Sequence, residues 1–435
     1  MLDALSPLDG RYADDVSELR RFFSGGALSP PRLFIEVSYL VALAGQAKLP
    51  ELKPLSPKEQ KALWDLVNGF SGKDAAEVKR HEKETRHDVK ALEYFLRARL
   101  KKMPGMEARL PFVHFGLTSE DVNNLAYGLL IQEALRLSLL PALGALQADL
   151  ERMGKLWRKI PMLSLTHGQP ATPTTVGKEL LVFSDRLERQ LTALSIFRMQ
   201  GKFGGAVGTF AAHRAAYPAV KWESFGRGFV DSLGMVPLEH TTQINPHDDL
   251  AELSHLLIRV STILLDCSQD CWLYVSRGIF RQAVKPGEVG SSTMPHKVNP
   301  IDFEMAEGNL GIARALCGFF AEKLPVSRLQ RDLSDSTVQR NLGVAFGHLL
   351  LAAKSLRTGL AKLSIDTDAA MRELEAHPEV AAEAIQTVLR KHGVADAYER
   401  LKALTRGRHV TRADLHAFID DLPIPEADKR QLKKA

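Results

Sequence analysis

One segment of the chain combines residue types that bind and stabilise an oxyanion. It runs from Gly287 to Pro300 and reads GEVGSSTMPHKVNP. Its glycines and prolines predict a loop that moves and then holds a defined shape before the next helix. Backbone N–H groups around small residues can surround an anion, Lys297 adds a fixed positive charge, and Asn299 adds amide donors. These features suit a carboxylate, although a flexible surface connection has the same Gly, Ser and Pro content.

A histidine and a histidine–aspartate pair are further candidates for acid–base chemistry. His167 lies in the segment THGQP, and histidine titrates near neutral pH, which suits a general acid. The alternative is a histidine that hydrogen-bonds a turn. His87 directly precedes Asp88, and an adjacent acid can orient an imidazole. Successive residues of a helix do not face one another, so a solvated helix pair is the alternative there.

Helices must position these residues, because helical periodicity dominates and no stretch shows the sustained alternation of a substantial sheet. The pattern predicts helices over residues 33–48, 57–70, 73–101, 118–158, 174–200, 247–282, 299–321 and 336–363. Several of these are much longer than the mean helix of about 11–12 residues. Long, broadly apolar helices indicate a bundle whose core is shared along its axis, often between subunits. The sequence thus predicts an all-α, three-domain protein with boundaries 1–110, 111–364 and 365–435.

Composition excludes several classes of protein. The 435 residues carry 57 Lys and Arg against 52 Asp and Glu, a net charge of +5, and 45% are hydrophobic. This is typical of soluble globular proteins and excludes a disordered chain. The positive charge is dilute and no RNA-binding signature is present, so we expect no nucleic-acid partner. The apolar stretch after His255 is interrupted by charges, so we expect a buried helix there and no membrane span.

The cysteine content and the amino-terminal residues indicate the cellular compartment of the protein. Only three cysteines are present, too few for a disulfide framework, which indicates a reducing compartment. The amino terminus carries an early acid and no apolar segment, so we expect a cytoplasmic protein without a targeting signal. Cys267 and Cys271 are spaced i, i+4 on an apolar helix without a histidine partner. We therefore expect buried thiols, and neither a metal nor a cofactor.

The string GSSTMPHKVNP resembles the signature of the fumarase/aspartase superfamily, whose members eliminate fumarate from a succinyl-type substrate. Within that superfamily, segments along nearly the whole chain resemble the adenylosuccinate lyase branch. They are SPLDGRY at 6–12, RHDVKALEYF at 86–95, HFGLTSEDVNNLA at 114–126, THGQPATPTTVGKE at 166–179, TTQINPHD at 241–248 and KLPVSRLQRDLSDSTVQRNLG at 323–343. The resemblance implies the three-domain helical fold of the superfamily and a homotetramer whose active sites combine segments of more than one subunit.

The resemblance also implies a reaction and the residues that carry it. The reaction is cleavage of adenylosuccinate to AMP and fumarate, and of the succinylated aminoimidazole carboxamide ribotide (SAICAR) to AICAR. It needs a base, an anion site and an acid. By resemblance, Ser291 is the base and His167 is the acid. The implied substrate-binding residues are Arg11, Tyr12, Arg86, His87, Asp88, Thr118, Ser119, Gln243, Lys297, Asn299, Arg331, Ser336, Thr337, Val338, Gln339 and Arg340.

Other interpretations remain beside this one. Each of these arginines, taken singly, also fits a surface position, and Thr-Ser-Glu-Asp at 118–121 fits a helix cap, which is itself an anion site. Another fumarate-releasing lyase, such as argininosuccinate lyase, fumarase or aspartase, is the nearest rival. A non-catalytic scaffold descended from such an enzyme is a second. The histidine at 296 and the RHD and SDSTVQR segments favour the nucleotide substrate, and retention of His167, Ser291, Lys297 and Asn299 argues against a scaffold.

Overall fold

The computed structural model describes residues 3–284, 287, 293–294, 296–407 and 410–433, and these residues are mostly helical. The predicted all-α class is confirmed. The helices are α1 (Arg20–Phe23), α2 (Ser29–Gln46), α3 (Pro57–Asn68), α4 (Gly72–Thr85), α5 (Asp88–Leu100), α6 (Ser119–Ala134), α7 (Leu140–Leu156), α8 (Val176–Ile196), α9 (Ala211–Ala216), α10 (Trp222–Ser232), α11 (Asp248–Ser276), α12 (Ile301–Lys323), α13 (Ser334–Gln339), α14 (Leu342–Ala361), α15 (Thr367–Glu375), α16 (Ala382–Lys391), α17 (Ala397–Thr405), α18 (Arg412–Asp420) and α19 (Glu426–Leu432).

Short strands and tighter helical turns complete the described secondary structure. The strands are β1 (Pro161–Thr166), β2 (Gln169–Thr175), β3 (Gln200–Gly201), β4 (Val236–Pro237), β5 (Phe280–Gln282) and β6 (Leu363–Ile365). They pair as β1 with β2 and β5 with β6, both antiparallel, and β3 with β4, parallel. The 3₁₀ turns are Ser17–Leu19, Glu107–Phe112 and Pro378–Ala381, and a π-helical turn, Leu135–Leu139, joins α6 to α7. The β1–β2 hairpin was not predicted from the sequence.

The predicted helix over 73–101 is wrong in one respect, because it is two helices. Arg86 ends α4 in the left-handed conformation, with φ of 53°, and His87 has extended backbone angles. The His87 ring then caps α5, since its Nδ1 accepts the backbone N–H of Lys90 at 3.2 Å. A left-handed residue other than glycine costs about 1–2 kcal/mol, so this break is held by its surroundings. The predicted helix over 336–363 is likewise divided, into α13 and α14.

The chain forms two compact units that are interleaved along the sequence. Unit 1 comprises Met1–Ala145, Glu188–Leu265 and Met305–Lys354, and unit 2 comprises Leu146–Leu187, Asp266–Glu304 and Ser355–Ala435. Every boundary between these segments falls inside a helix. The division into domains at residues 110 and 364 stays a prediction.

Unit 1 is organised around α2, which packs against α6. Tyr39 on α2 lies at the centre of an aromatic cluster, with ring centroids 5.5 Å from Phe203 and 5.8 Å from Phe229. Its hydroxyl donates to the carbonyl of Phe115 at 2.7 Å and contacts Nε2 of His213 at 3.1 Å. Because Tyr39 is fully buried, α2 is fixed relative to the segment that leads into α6.

Unit 2 contains a close helix approach and a small C-terminal core. Gly177 at the start of α8 lies so near α7 that an added Cβ would overlap the carbonyl of Gly154 and come within 2.5 Å of the Arg158 nitrogen. Beyond residue 380, apolar side chains of α16 to α19 pack into one cluster, which includes Ile385, Leu389 and Ile419. These helices are short, as the sequence indicates.

Two sequence-based expectations on buried residues can be compared with this fold. The three cysteines are free and buried, which confirms the prediction of buried thiols at Cys267 and Cys271, and burial raises the pKa of Cys317 to about 12. Among the described residues, the stretch Ser119–Leu156 is long and apolar enough to cross a membrane. The core helix of a soluble protein meets the same criteria, and 44% of its most apolar window is buried inside the protein.

Candidate active site

A cavity of about 420 Å³ opens in unit 1 and brings together residues from distant parts of the sequence. Four of the predicted substrate-binding residues line it: Asp88 at the start of α5, and Ser336, Gln339 and Arg340 in and after α13. Its volume lies in the range of small-molecule sites, about 300–1,000 Å³. The remaining wall is formed by apolar, polar and charged side chains, among them Phe22, Phe23, Arg32, Lys79, Glu82, Glu120, Asn123 and Tyr127.

Asp88 is held in the cavity wall by Arg32, a residue that the sequence analysis did not select. Nη2 of Arg32 lies 2.5 Å from Oδ2 of Asp88, and its Nε donates to the Asn123 amide oxygen at 2.7 Å. Burial alone would raise the pKa of Asp88, but Arg32 and the backbone N–H of Val89 outweigh it and hold the pKa below its ordinary value. Asp88 is therefore an oriented anion whose close partner is Arg32, and Nδ1 of its neighbour His87 lies farther away, 3.9 Å from Oδ1 of Asp88.

His87 instead faces Ser119 at the start of α6. Its Nε2 lies 3.2 Å from the Ser119 hydroxyl. Because Nδ1 accepts the N–H of Lys90, the hydrogen-bond pattern assigns the ring proton to Nε2, which donates to Ser119. The two segments that the resemblance assigned to substrate binding, at 86–88 and 118–119, are thus in direct contact.

Thr118 is the N-cap of α6 and forms a capping box with Asp121. The Thr118 backbone N–H donates to Oδ2 of Asp121 at 2.8 Å. The capping interpretation of this segment is therefore correct. It does not exclude anion binding, since a helix N-terminus presents N–H groups and a positive dipole end.

Gln243 and Arg331, both predicted to bind substrate, are neighbours in the structure. Nη1 of Arg331 lies 3.4 Å from the Gln243 amide oxygen, and its Nη2 lies 3.3 Å from Oε1 of Glu120. Glu120 is buried in the cavity wall, and burial raises its pKa against the opposing effect of Arg331. Arg331 thus brings its positive charge to the edge of the cavity.

Helix α13 is fixed from behind by His247, which precedes α11 with φ of 63°. Nε2 of His247 lies 3.0 Å from the Gln339 amide nitrogen and 3.7 Å from Oδ2 of Asp335. Burial would raise the pKa of Asp335, but the interaction with His247 prevails and lowers it. This buried contact orients the face of α13 that carries Ser336 and Gln339.

Other predicted binding residues lie outside the lining of this cavity. Among the described residues these include Arg11, Tyr12, Arg86, Thr337 and Val338; His87, Thr118, Ser119, Gln243 and Arg331, described above, also lie outside the lining. Arg11, Arg86 and Thr337 are exposed, and the Arg11 guanidinium lies 5.8 Å from the centre of the Tyr12 ring. A role for these residues in binding stays a prediction.

His167 occupies the tip of the β1–β2 hairpin in unit 2. Thr166 pairs with Gln169, which leaves His167 and Gly168 as a two-residue turn with φ of 55° and 70°. Positive φ at both positions defines a type I′ turn, where Asn or Gly is preferred. A histidine there adopts a conformation that L-residues disfavour, and such strain is concentrated at functional positions. The turn holds the imidazole exposed to solvent.

The signature loop is described only in part. Ser291, the predicted base, lies outside the described residues. Lys297 is exposed and its backbone N–H donates to the carbonyl of Met294 at 3.1 Å. Asn299 is half-buried, just before α12. Both belong to unit 2, as does His167.

Sequence reasoning missed the supporting residues of the site: Arg32, Glu120, Asn123 and Lys202. A signal was present for the first of these. Arg32, Glu36 and Tyr39 recur on one face of α2, which is otherwise apolar, at helical spacing. Glu36 lies 2.5 Å from Nδ1 of His114 and Tyr39 donates to the carbonyl of Phe115, so these two members of the stripe contact the segment that leads into α6.

Comparison with solved structures establishes the class of fold. A 3-carboxy-cis,cis-muconate lactonizing enzyme from Pseudomonas putida aligns with a TM-score of 0.73 at 22% identity, over 96% of this chain and 92% of that one. A fumarate lyase from Mesorhizobium sp. BNC1 aligns with a TM-score of 0.75 at 18% identity, over 96% and 93%. Residues 10–315 match the family described as lyase. The fold is therefore that of this helical class of lyases.

Sequence comparison narrows the class to one family. The adenylosuccinate lyase of Legionella pneumophila (strain Corby) is 48% identical over 433 residues, which cover 100% of this chain and 95% of that protein. That of Escherichia coli (strain K12) is 47% identical over 432 residues, 99% and 95% of the two chains. Residues 327–435 match the family described as adenylosuccinate lyase C-terminal. The chain belongs to the adenylosuccinate lyase family.

Proposed function

We propose that this protein is an adenylosuccinate lyase that releases fumarate from adenylosuccinate, giving AMP, and from SAICAR, giving AICAR. The observation that carries the proposal is the 48% identity along the whole chain to a named adenylosuccinate lyase. The cavity in unit 1 supports it, because it joins an oriented carboxylate, Asp88, to the cation Arg340 and the hydroxyl of Ser336. A nucleotide monophosphate needs both kinds of partner, acceptors for its N–H and O–H groups and donors for its phosphate.

In the proposed mechanism, an acid and a base act on the succinyl group. The base removes a proton from the carbon next to a carboxylate, and the electrons pass into that carboxylate as an aci-form. The electrons held in the aci-form then return to form the carbon–carbon double bond of fumarate as the C–N bond breaks. The electron pair of the C–N bond passes to nitrogen, and the acid protonates that nitrogen. We assign the base to Ser291 and the acid to His167. Lys297 supplies a positive charge and Asn299 supplies amide donors for the doubly charged intermediate.

The first test is a panel of substrates with fumarate release as the readout. We expect fumarate from adenylosuccinate and SAICAR, and none from argininosuccinate, malate or aspartate. Fumarate from one of these three alone would assign the protein to the corresponding sister lyase. A folded protein that releases fumarate from none of the five would be a scaffold.

We also propose that the protein is a homotetramer whose active sites combine segments of more than one subunit. Large apolar side chains support this, because they lie exposed on the long helices: Trp272 and Leu273 on α11, and Ile312 and Phe319 on α12. Large apolar side chains exposed on long helices in this way are typical of a protein interface. Light scattering should give four times the 48.1 kDa of one chain. A mass of one chain would contradict the tetramer. Mixing the inactive His167→Ala and Ser291→Ala proteins should restore part of the activity, if each site takes these two residues from different subunits.

Two further proposals concern organisation and location. We propose domains at 1–110, 111–364 and 365–435, which limited proteolysis with mass determination of the fragments would test. We propose a cytoplasmic location, supported by three free, buried thiols, since such thiols persist in a reducing compartment. Fractionation of the native host would test it.

A further inference from the structure

A fully buried ion pair lies beneath the candidate site in unit 1. Nζ of Lys202 is 2.7 Å from Oδ1 of Asp121, and neither side chain has any exposed surface. The ammonium also donates to the carbonyl of Gly205 at 2.6 Å. Burial lowers the pKa of Lys202, against the opposing effect of Asp121. The proposed reaction mechanism uses neither residue.

The pair connects the first turn of α6 to the loop after β3. Asp121 accepts the backbone N–H groups of Gly204 at 2.9 Å and Gly205 at 3.0 Å, besides that of Thr118. Asn124, one turn further along α6, accepts the N–H of Lys202 at 2.8 Å and donates to its carbonyl at 2.9 Å. The loop is therefore held to α6 by main-chain and side-chain hydrogen bonds on both sides of Lys202.

The same connection continues to the predicted binding residues and returns to α6. Gln243 donates to the carbonyl of Ala206 at 3.1 Å, in the loop that Lys202 begins. Its amide oxygen faces Arg331, and Arg331 faces Glu120, which is the residue before Asp121. The side chains of Glu120, Asp121, Lys202, Gln243 and Arg331 thus form a closed circuit together with the backbone at 120–121 and 202–206, named here the Lys202 circuit.

Close packing couples the position of the loop after β3 to the positions of the segments next to it. Gly205 and Gly208 have φ of 77° and 74°, and a Cβ on Gly205 would lie 2.9 Å from the carbonyl of Gly116. A Cβ on Gly208 would overlap the backbone of Thr241. The loop therefore packs directly against the segments that carry Thr118 and Gln243, so a displacement of the loop displaces both.

A contribution to folding stability does not by itself explain why a buried ion pair is present at this position. Taking two charges out of water is expensive, and an apolar pair of similar volume is often as stable. We propose that Lys202 and Asp121 are positioning residues that hold Thr118, Ser119, Gln243 and Arg331 in one arrangement for the anionic groups of the substrate. This inference rests on the proposed function, since it concerns the same site.

The test compares a neutral version of the pair with a control pair elsewhere in unit 1. In Lys202→Met/Asp121→Asn both charges are removed together, so no single buried charge is left behind. The control is Arg109→Met, which breaks the pair between Arg109 and Glu59, 3.3 Å apart with side chains 10% and 17% exposed. That pair has no member in the Lys202 circuit.

We expect both variants to lower the unfolding temperature, but only the circuit variant to impair the site. Misplacement by about 1 Å can cost about 100-fold in rate, so we expect kcat/KM for adenylosuccinate to fall about 10- to 100-fold, with weaker AMP binding. The control should stay within about twofold of wild type. Equal kinetics in the two variants, at equal loss of unfolding temperature, would overturn the positioning role.

A measurement on wild-type protein decides the question even if the circuit variant does not fold. We expect AMP to slow amide hydrogen exchange in the peptide covering 203–208 as well as in that covering 331–340. Protection of 331–340 with unchanged exchange at 203–208 would overturn the role. A wild-type protein that neither cleaves adenylosuccinate nor binds AMP would be a different result. It would overturn the proposed function and, with it, the positioning role of Lys202 and Asp121.

Discussion

Arg331 and Glu120 face each other at the edge of the unit 1 cavity, with Nη2 of the arginine 3.3 Å from Oε1 of the glutamate. Both side chains are largely buried, and the arginine also faces Gln243. A buried carboxylate of this kind fixes the direction of the guanidinium before any ligand arrives. Preorganised charge of this type contributes most to the binding and stabilisation of anions.

Arg331→Lys should therefore weaken AMP binding although the charge is kept. Lysine cannot present two nitrogens in the fixed geometry of a guanidinium. A hydrogen bond to a charged group contributes about 1.5–3 kcal/mol, so we expect Kd for AMP to rise about 10- to 100-fold by titration calorimetry. The control is Arg328→Lys, three residues earlier, where the side chain is exposed. Similar affinities in the two variants would show that Arg331 does not contact the nucleotide.

Asp88 and Arg32 should behave as one unit in a double-mutant cycle. Asp88→Asn leaves the buried Arg32 without its anion, and Arg32→Met leaves Asp88 without its cation. We expect each single variant to lose about 1–3 kcal/mol of stability and to raise KM for adenylosuccinate. The double variant should lose less than the sum of the two, by about 0.5–3 kcal/mol. Additive losses measured by denaturant unfolding would mean that the two residues are not coupled.

His213 should make the protein less stable in acid. Burial lowers the pKa of His213 to about 4, and its Nδ1 is buried without a hydrogen-bond partner among the described residues. The unfolded chain binds this proton below about pH 6.5 and the folded chain only below about pH 4, so stability falls as pH decreases through that window. The group accounts for at most about 3 kcal/mol. His213→Phe should show a shallower decline in unfolding free energy between pH 6.5 and 4; an unchanged slope would contradict the assignment.

Asp270 should destabilise the protein at neutral pH. Burial first, and then Asp266 and Glu179, raise the pKa of Asp270 to about 6. The folded state therefore holds this proton up to about pH 6 and the unfolded state only to about pH 4, so stability falls as pH rises between those values. Asp270→Asn should stabilise the protein by about 1 kcal/mol at pH 7, after allowance for screening, and not at pH 4. Asp266→Asn removes one of the charges that raise this pKa, together with the pair to Arg186, and should therefore lower the pKa of Asp270. A gain for Asp270→Asn that is equal at both pH values would refute this explanation.

Gly177 should tolerate no side chain. A Cβ there would overlap the backbone of Gly154 and Arg158, and backbone cannot move aside as a flexible side chain can. We expect Gly177→Ala to lose about 1–3 kcal/mol or more in thermal unfolding. Gly45→Ala, on an exposed position of α2 with open space around the added Cβ, should gain about 0.5–1 kcal/mol. Similar shifts in the two variants would mean that the close approach of α7 and α8 is absent in solution.

The sequence predicted the helices well and the local breaks poorly. The predicted helix at 247–282 corresponds to α11, Asp248–Ser276. Apolar residues that recur at helical spacing over a long stretch are a strong indication of a helix. The hairpin at 161–175 was missed since β2 carries Pro170 and Pro173 and few apolar residues, which are weak strand signals. The break at Arg86–His87 was missed because histidine is not among the preferred N-cap residues.

Prediction from the sequence was limited in the same way at the candidate site. Asp88, Gln243, Arg331, Ser336, Gln339 and Arg340 came from a family resemblance. Four of them line one cavity, Arg331 contacts Glu120 of that lining, and Gln243 contacts Arg331. Arg32 and Lys202 act through partners far away in sequence. The polar stripe on α2 marks Arg32 in the sequence, whereas the segment of Lys202 looks like an ordinary loop, and only the tertiary structure reveals the partners of either residue.

The most direct test of the central claim is the ultraviolet absorbance change when the purified protein meets adenylosuccinate, with AMP and fumarate assayed separately. We predict turnover by the wild-type protein with equal amounts of the two products, and loss of turnover in His167→Ala and Ser291→Ala with the oligomer intact. Near-normal turnover in either variant would remove that residue from its role. No turnover of adenylosuccinate by intact wild-type protein would contradict the account as a whole.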